Sequence, residues 1–575
     1  PVGGGMEFMF KKGNVGSVNT IKQILESSGT AGQAELRRRL EAGEPLSPEH
    51  DRSVYMRTCQ KEIFEPIHGT TTGTIPSWLQ GTLLRNGPGK LKFGDSSYQH
   101  AFDGSALLHR FAIKNGEVTY QCRFLDTNTY RKNSAANRIV VSEFGTRAVP
   151  DPCQSIFSRL STWFSIEEST DNANVAIYPF HDQFYCFTET TKIHRIDPTN
   201  LDTLDWVDVS KHVAVVNHTA HPHVTQDGSV YNQAMSIQGS RPHYSIVRFP
   251  SQVLGEDRKS EKSNPMFECA EILASVKARW PFAPSYMHSF GLTDNYFIII
   301  EQPFSISLPN MVKSKLKGEP LSGCLRFFKD EDTLLHVVER TSGKIFRTYS
   351  ADPFFFFHTI NQFESDDHLV IDICCYADST VVDNMYFRSL LDESKNFDYI
   401  QAKRSRPLRF VLPLAPTAAD VNANLVTLEG SQAAASWRGT QVHVEPEPLC
   451  DLGCEMPRFN YDCLGKPYRY FYAISTDVEL EHPVTLIKVD TRTRTNKTWS
   501  EPKAFPSEPI FVPSPGAQHE DDGVILSALV WGRGMERQVG LLVLDASTFR
   551  EIGRTVFETP SPVPKTLHGW FTSDF

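Results

Sequence analysis

The sequence has no apolar run long enough to cross a bilayer, no dense basic tract, and no Pro/Gly/Ser-rich stretch that would separate domains. A spanning helix needs about 20 apolar residues. The longest clear hydrophobic runs, such as residues 296–300, have strand length. Nucleic-acid partners are excluded on charge: 58 basic residues face 68 acidic ones, for a net charge of -10, so the basic footprint is missing. No signal-peptide pattern opens the chain. Its 11 cysteines are odd in number and irregularly spaced, with Cys374 and Cys375 adjacent. That usage fits free thiols in a reducing, cytoplasmic compartment rather than a disulfide framework. Cys450 and Cys454 lack a second Cys/His pair at zinc-finger spacing and are read as structural.

What is present is a large potential core. Forty per cent of the 575 residues are hydrophobic, spread evenly along the chain. Residues 1–5 read as an expression scar, 6–60 as a mostly helical extension, and 61–575 as one β domain. The best helical stretch runs from about 18 to 41, is broken at Ser27-Ser28-Gly29, and is expected to be peripheral. From about Pro76 onward, short Val/Ile/Tyr/Phe runs alternate with Asp/Asn/Gly turns, the pattern of an all-β fold. Asp227-Gly228, Asp294-Asn295, Asp366-Asp367 and Asp521-Asp522-Gly523 each precede such a run. Turns recurring at intervals of tens of residues point to a propeller or a large barrel, with a sandwich as the alternative.

Four of the 19 histidines stand apart. His221 and His288 each precede a turn aspartate by six residues, and His358 precedes Asp366 by eight; His568 lies near the C-terminus. If each ends an inner strand just before its hairpin, equivalent positions in successive blades face one axis. The resulting site would have four neutral ligands and no carboxylate in direct contact with a metal. An octahedral ion there would keep open positions for dioxygen or water. Imidazole suits Fe, Cu, Zn and Ni alike. Taken singly, each histidine is more often a hydrogen-bonded strand-end residue, and the spacing matches no local metal motif. Which of His221 and His223 faces the axis is left open by strand period and Pro222.

From about Phe64 to Phe571 the chain resembles the carotenoid cleavage oxygenases, nearest to their animal branch and, within it, the insect members. The landmarks are His100-Ala101-Phe102-Asp103-Gly104, Phe187-Thr188-Glu189-Thr190, Ala220-His221-Pro222-His223 and His288-Ser289-Phe290-Gly291. Further on come Phe357-His358-Thr359-Ile360-Asn361, Glu455-Met456-Pro457-Arg458, Ser507-Glu508-Pro509-Ile510 and His568-Gly569. The resemblance implies a seven-bladed β-propeller under a mostly helical dome, with Fe(II) on the axis and dioxygen as co-substrate. It assigns His221, His288, His358 and His568 as ligands and leaves His223 outside. Glu189, Glu455 and Glu508 would hold the outer nitrogens of His288, His358 and His568, respectively, fixing each tautomer. Tyr376 and Thr188 would face the substrate, and no residue is assigned as an acid or base.

The implied reaction is cleavage of the central double bond of a C40 carotenoid, with one half isomerised to give an 11-cis and an all-trans aldehyde. Cleavage without isomerisation, retinoid ester isomerohydrolysis and plain carotenoid binding are the alternatives. So insoluble a substrate implies contact with a membrane surface. Ile156, Phe157, Leu160, Trp163 and Phe164 would form one apolar helical face suited to that contact, next to Cys153, a candidate acylation site.

Overall fold

A computed structural model describes residues 19–27, 38, 41–42, 51–149, 170–251, 264–317, 319–392, 404–416, 423–475, 477 and 484–573. The expected membrane-facing residues, Cys153 to Phe164, lie outside them, as does the presumed scar.

The turn aspartates do what their chemistry suggests. Asp366 and Asp367 both take positive φ (44° and 57°), the tight primed turn that matches strand twist, and join strands Phe355–Ser365 and His368–Tyr376. Gly228, at φ 78°, closes the turn before Val230–Gln238. Hairpins of this kind build seven sheets around one axis, antiparallel except where Ile345–Ala351 pairs in parallel with Gln441–Glu445. Their innermost strands are Ala176–Phe180, His223–Val224, Gly291–Leu292, Phe355–Ser365, Glu455–Phe459, Ile510–Pro513 and Gly569–Thr572, here numbered blades 1 to 7. The fold is thus a seven-bladed β-propeller. The ring closes on itself because the C-terminal strand Gly569–Thr572 pairs with Gly81–Arg85, completing a blade begun by the N-terminal strands.

Central strands are apolar on both faces because each blade packs against two neighbours: every residue of His368–Tyr376 is buried. The helix Thr20–Ser27 corrects the expectation of a peripheral N-terminal segment. It puts Ile21 and Leu25 into the core between blades 3 and 4, and Asp352 accepts from the Thr20 backbone N–H at 2.6 Å.

Over one end of the axis lie short helices, Asn128–Ala136, Leu308–Lys317, Thr380–Asn384 and Phe387–Asp392. Two-stranded ribbons accompany them, Lys92–Phe93 with Ser96–Ser97 and Phe304–Ile306 with Leu325–Phe327. This dome is less uniformly helical than the resemblance implies. Together with the blades it encloses a cavity of about 1620 Å³, well above the ~300–1,000 Å³ of ordinary small-molecule sites.

Burial holds eight histidines below their usual range: His100, His109, His194, His218, His221, His223, His288 and His568. His100 and His218 fall to about 4. Asp103, Glu143, Asp332, Asp383 and Glu520 are pushed up by burial and pull the other way, but they are fewer than the histidines. Between pH 6.5 and 4 the unfolded chain therefore takes up more protons than the folded one, and stability falls as pH falls. The expected result is a melting temperature that declines steadily from pH 6.5 to pH 4.5. A flat profile over that window would show that these imidazoles are not buried in neutral form.

Candidate metal centre

Four imidazoles meet on the propeller axis. His221 precedes the innermost strand of blade 2, His288 that of blade 3 and His568 that of blade 7, while His358 is the fourth residue of Phe355–Ser365 in blade 4. The histidines thus sit where the inner strands begin, not at their hairpin ends as the turn offsets suggest. His358 reaches the axis through a local irregularity in strand register between Phe356 and Thr359.

His221 has its ring centre 4.5, 4.8 and 4.6 Å from those of His288, His358 and His568. The ring centres of His358 and His568 are 5.1 Å apart. Ligand atoms of His221, His288 and His358 all lie within 4.8 Å of one another.

The outer nitrogens are held by carboxylates. His288 Nδ1 is 2.8 Å from Glu189 Oε1, His358 Nδ1 is 2.6 Å from Glu455 Oε2, and His568 Nδ1 is 2.8 Å from Glu508 Oε1. A carboxylate accepts, so each Nδ1 carries the proton and each Nε2 turns a lone pair inward. Two such lone pairs, on His288 and His358, approach to 3.3 Å. His221 Nε2 is buried with no hydrogen-bond partner. Lone pairs converging without a donor repel one another unless a cation lies between them, so these residues fit a metal ion with four nitrogen ligands.

The carboxylates are themselves braced. Glu508, 1 % exposed, takes Arg85 Nη1 and Arg458 Nε at 2.7 Å each and the Gly569 backbone N–H at 3.0 Å. Burial alone would raise its pKa, but Arg458, His568 and Arg85 outweigh that and hold it below the usual carboxylate range. Arg85 also donates to Leu567 O, and Arg458 to Gly569 O, so the same ion cluster fixes the His568 backbone. A side chain at Gly569 would meet Leu84 O at 2.1 Å, which explains glycine after the histidine. Glu455 is half-buried; desolvation would raise it, but His358 and the Tyr376 hydroxyl bring it below its ordinary value. Met456, at φ 51°, bends the strand just after Glu455 and places strain at the site.

Tyr286 is a participant that sequence reasoning missed. Its hydroxyl lies 2.6 Å from Glu189 Oε1 and 2.7 Å from His288 Nδ1. Its place two residues before His288, the strand period, was the available signal. Nothing local in the sequence marks Arg85, 423 residues from Glu508. His223 turns away, its Nε2 2.9 Å from Phe290 O.

His288, His358 and His568 line the floor of the dome cavity, with Thr188 and Tyr376 among the wall residues. Phe102, Phe144 and Phe357 continue the wall as an aromatic cluster, with ring centres 5.5 Å apart for Phe102–Phe144 and 6.1 Å for Phe102–Phe357.

A seven-bladed propeller with four axial imidazoles beneath an apolar vault has the fold of the carotenoid oxygenases. A Synechocystis apocarotenoid oxygenase variant superposes with a TM-score of 0.71 at 24% identity, covering 92% of this chain and all of that one. A cobalt-substituted form of the Synechocystis protein matches equally well, with a TM-score of 0.71, 24% identity and the same coverage. The sequence profile described as RPE65, retinal pigment epithelial membrane protein, matches residues 56–573. Carotenoid isomerooxygenase of Galleria mellonella is 50% identical, over 92% of this chain and 98% of its own. The Drosophila melanogaster protein of the same name is 46% identical, over 93% and 95%. Beta,beta-carotene 15,15'-dioxygenase of Rattus norvegicus is 40% identical, over 90% of each chain. The chain belongs to the RPE65/carotenoid oxygenase family, a family of non-haem iron enzymes.

Proposed function

We propose that the protein is an Fe(II)-dependent oxygenase that cleaves the central double bond of a C40 carotenoid with dioxygen and isomerises one half. The products would be one 11-cis and one all-trans retinoid aldehyde. The observation that carries this reading is the set of four inward-facing imidazoles, three of them at the floor of a cavity large enough for a long polyene. The names of the most similar relatives agree with it. His221, His288, His358 and His568 would hold the iron, which when bound supplies dioxygen activation.

The chain's own residues provide position and dryness. Glu189, Glu455 and Glu508 keep three imidazoles in one tautomer and orientation, and strengthen them as ligands. Phe102, Phe144, Phe357 and Tyr376 offer flat apolar faces to an uncharged chain and exclude water from it. The Tyr376 hydroxyl, well above its usual pKa through burial and Glu455, stays protonated. It is unavailable as a base. Thr188 lies on the wall with a hydroxyl that can face the reacting bond.

Turnover with isotopically labelled dioxygen and a C40 carotenoid tests the reaction. Labelled C20 aldehydes, one of them 11-cis, are expected. Labelled products of unequal length, or all-trans products alone, would remove the central-cleavage or the isomerising part of the proposal. A product formed without oxygen would remove the oxygenase reading.

We also propose that the protein draws its substrate from a membrane surface. No helix among the described residues is long and apolar enough to cross one. Support comes instead from exposed apolar residues at the dome. Met311, Val312 and Leu316 project from Leu308–Lys317, and Phe282 is 59 % exposed beside them. Met311, along with exposed Val149, Val216 and Leu321, also borders the cavity. Lys313 and Lys317 on the same helix suit an anionic headgroup layer. Val312→Asp with Leu316→Asp is expected to reduce sedimentation with phosphatidylserine-containing vesicles about tenfold or more, the effect of losing roughly 1.5–3 kcal/mol per buried apolar side chain. Turnover of detergent-dispersed substrate should be unchanged. Undiminished vesicle binding would place the contact elsewhere.

A further inference from the structure

In the core between blades 4 and 5, beside the strands that carry His358 and Glu455, two thiols touch. Cys374 Sγ lies 3.4 Å from Cys454 Sγ, and both residues are buried, at 0 % and 1 %. They belong to different blades, Cys374 to the strand His368–Tyr376 of blade 4 and Cys454 to the segment entering Glu455–Phe459 of blade 5. Both are free.

Their neighbours matter more than their burial. Cys454 directly precedes Glu455, whose Oε2 holds His358 Nδ1 at 2.6 Å. Cys374 is two residues before Tyr376, a residue whose hydroxyl helps hold the Glu455 carboxylate below its ordinary pKa. Ser405 fixes the backbone at the second thiol: its Oγ donates to Cys454 O at 2.7 Å and accepts from Cys454 N at 3.2 Å. Any change in the separation of the two sulfurs thus falls on the segment that carries Glu455, the group that orients His358.

We infer that Cys374 and Cys454 form a modification site, a dithiol that a peroxide converts to a disulfide and that thereby detunes the His358–Glu455 pair. In that step two thiols lose two protons and two electrons and an S–S bond forms. The O–O bond of hydrogen peroxide breaks and two waters leave. The sulfurs must close from 3.4 Å to about 2.05 Å. Part of that movement is passed to Glu455. A misplacement near 1 Å at a reacting centre costs up to about 100-fold in rate, so turnover should drop at least about tenfold. Burial raises the Cys374 thiol, which keeps the reaction slow and restricts it to sustained oxidant.

The inference rests on the axial site being the reaction centre, so its test includes readouts that do not need the carotenoid reaction. The iron-loaded full chain is treated with hydrogen peroxide and assayed for unreduced peptides by mass spectrometry, for iron retained against a chelator, and for turnover. Expected are a 374–454 crosslink, faster iron loss and turnover reduced about tenfold or more, all reversed by dithiothreitol. Cys454→Ala, or Cys374→Ser should the first not fold, should resist the same treatment. The inference is overturned if both thiols remain alkylatable after oxidation. It is also overturned if the crosslink forms with iron retention unchanged, or if the variants are inactivated as fast as the parent. Cys59 and Cys122, a second thiol pair among the described residues, serve as an internal comparison, because a crosslink confined to them would likewise count against it.

Discussion

Glu508→Gln is expected to lower both stability and metal affinity more than any other single carboxylate change at the site. The carboxylate is the common acceptor for Arg85, Arg458, His568 Nδ1 and the Gly569 N–H. An amide can accept at one end only, so one buried guanidinium is left against a donor. Removing one partner of a buried ion cluster costs about 3–5 kcal/mol. The same change releases the tautomer of His568, for which a loss of about 10–100-fold in metal affinity is typical. Thermal denaturation with and without saturating Fe(II) separates the two effects. A melting temperature within a degree of the parent would show that the arginines do not depend on this carboxylate.

His358→Ala should be more severe at the metal and milder for the fold. It deletes a ligand and leaves Glu455 with the Met456 N–H. Retained iron is expected to fall to background, and turnover to fall by more than the ~10–100-fold typical of an outer-partner change such as Glu189→Gln. His223→Ala is the matched comparison: its Nε2 is engaged by Phe290 O, so iron content should stay at the parent level. Equal iron loss in His223→Ala and His358→Ala would break the assignment of ligands.

The parts of this architecture that local chemistry dictates were legible beforehand. Turn residues such as Asp366 and Asp367 carry their φ preference with them, and strand-length apolar runs between such turns announce blades. The blade count is not local. It depends on ring closure by Gly569–Thr572 against Gly81–Arg85, a pairing between the two ends of the chain. The same distinction runs through the site. The histidines stood out by their offsets from turns, though the offsets suggested the wrong end of the inner strand. Glu189, Glu455 and Glu508 are ordinary carboxylates to any local reading, and only resemblance paired them with their imidazoles. Arg85 and Arg458 had no signal, because what makes them part of the site is a shared burial with Glu508. The N-terminal helix was misread as peripheral for a related reason. Its apolar face is short and broken, and only the groove between blades 3 and 4 shows what Ile21 and Leu25 cover.

The central claim is that four neutral imidazoles, and no carboxylate or thiolate, are the protein's ligands to one ion. X-ray absorption on the Fe(II)-loaded protein, with metal stoichiometry measured on the same sample, tests it most directly. The account predicts one iron per chain, with four histidine nitrogens at about 2.0–2.2 Å and any remaining scatterers assignable to water. Sulfur in the shell, a carboxylate ligand, or fewer than four imidazoles would contradict it.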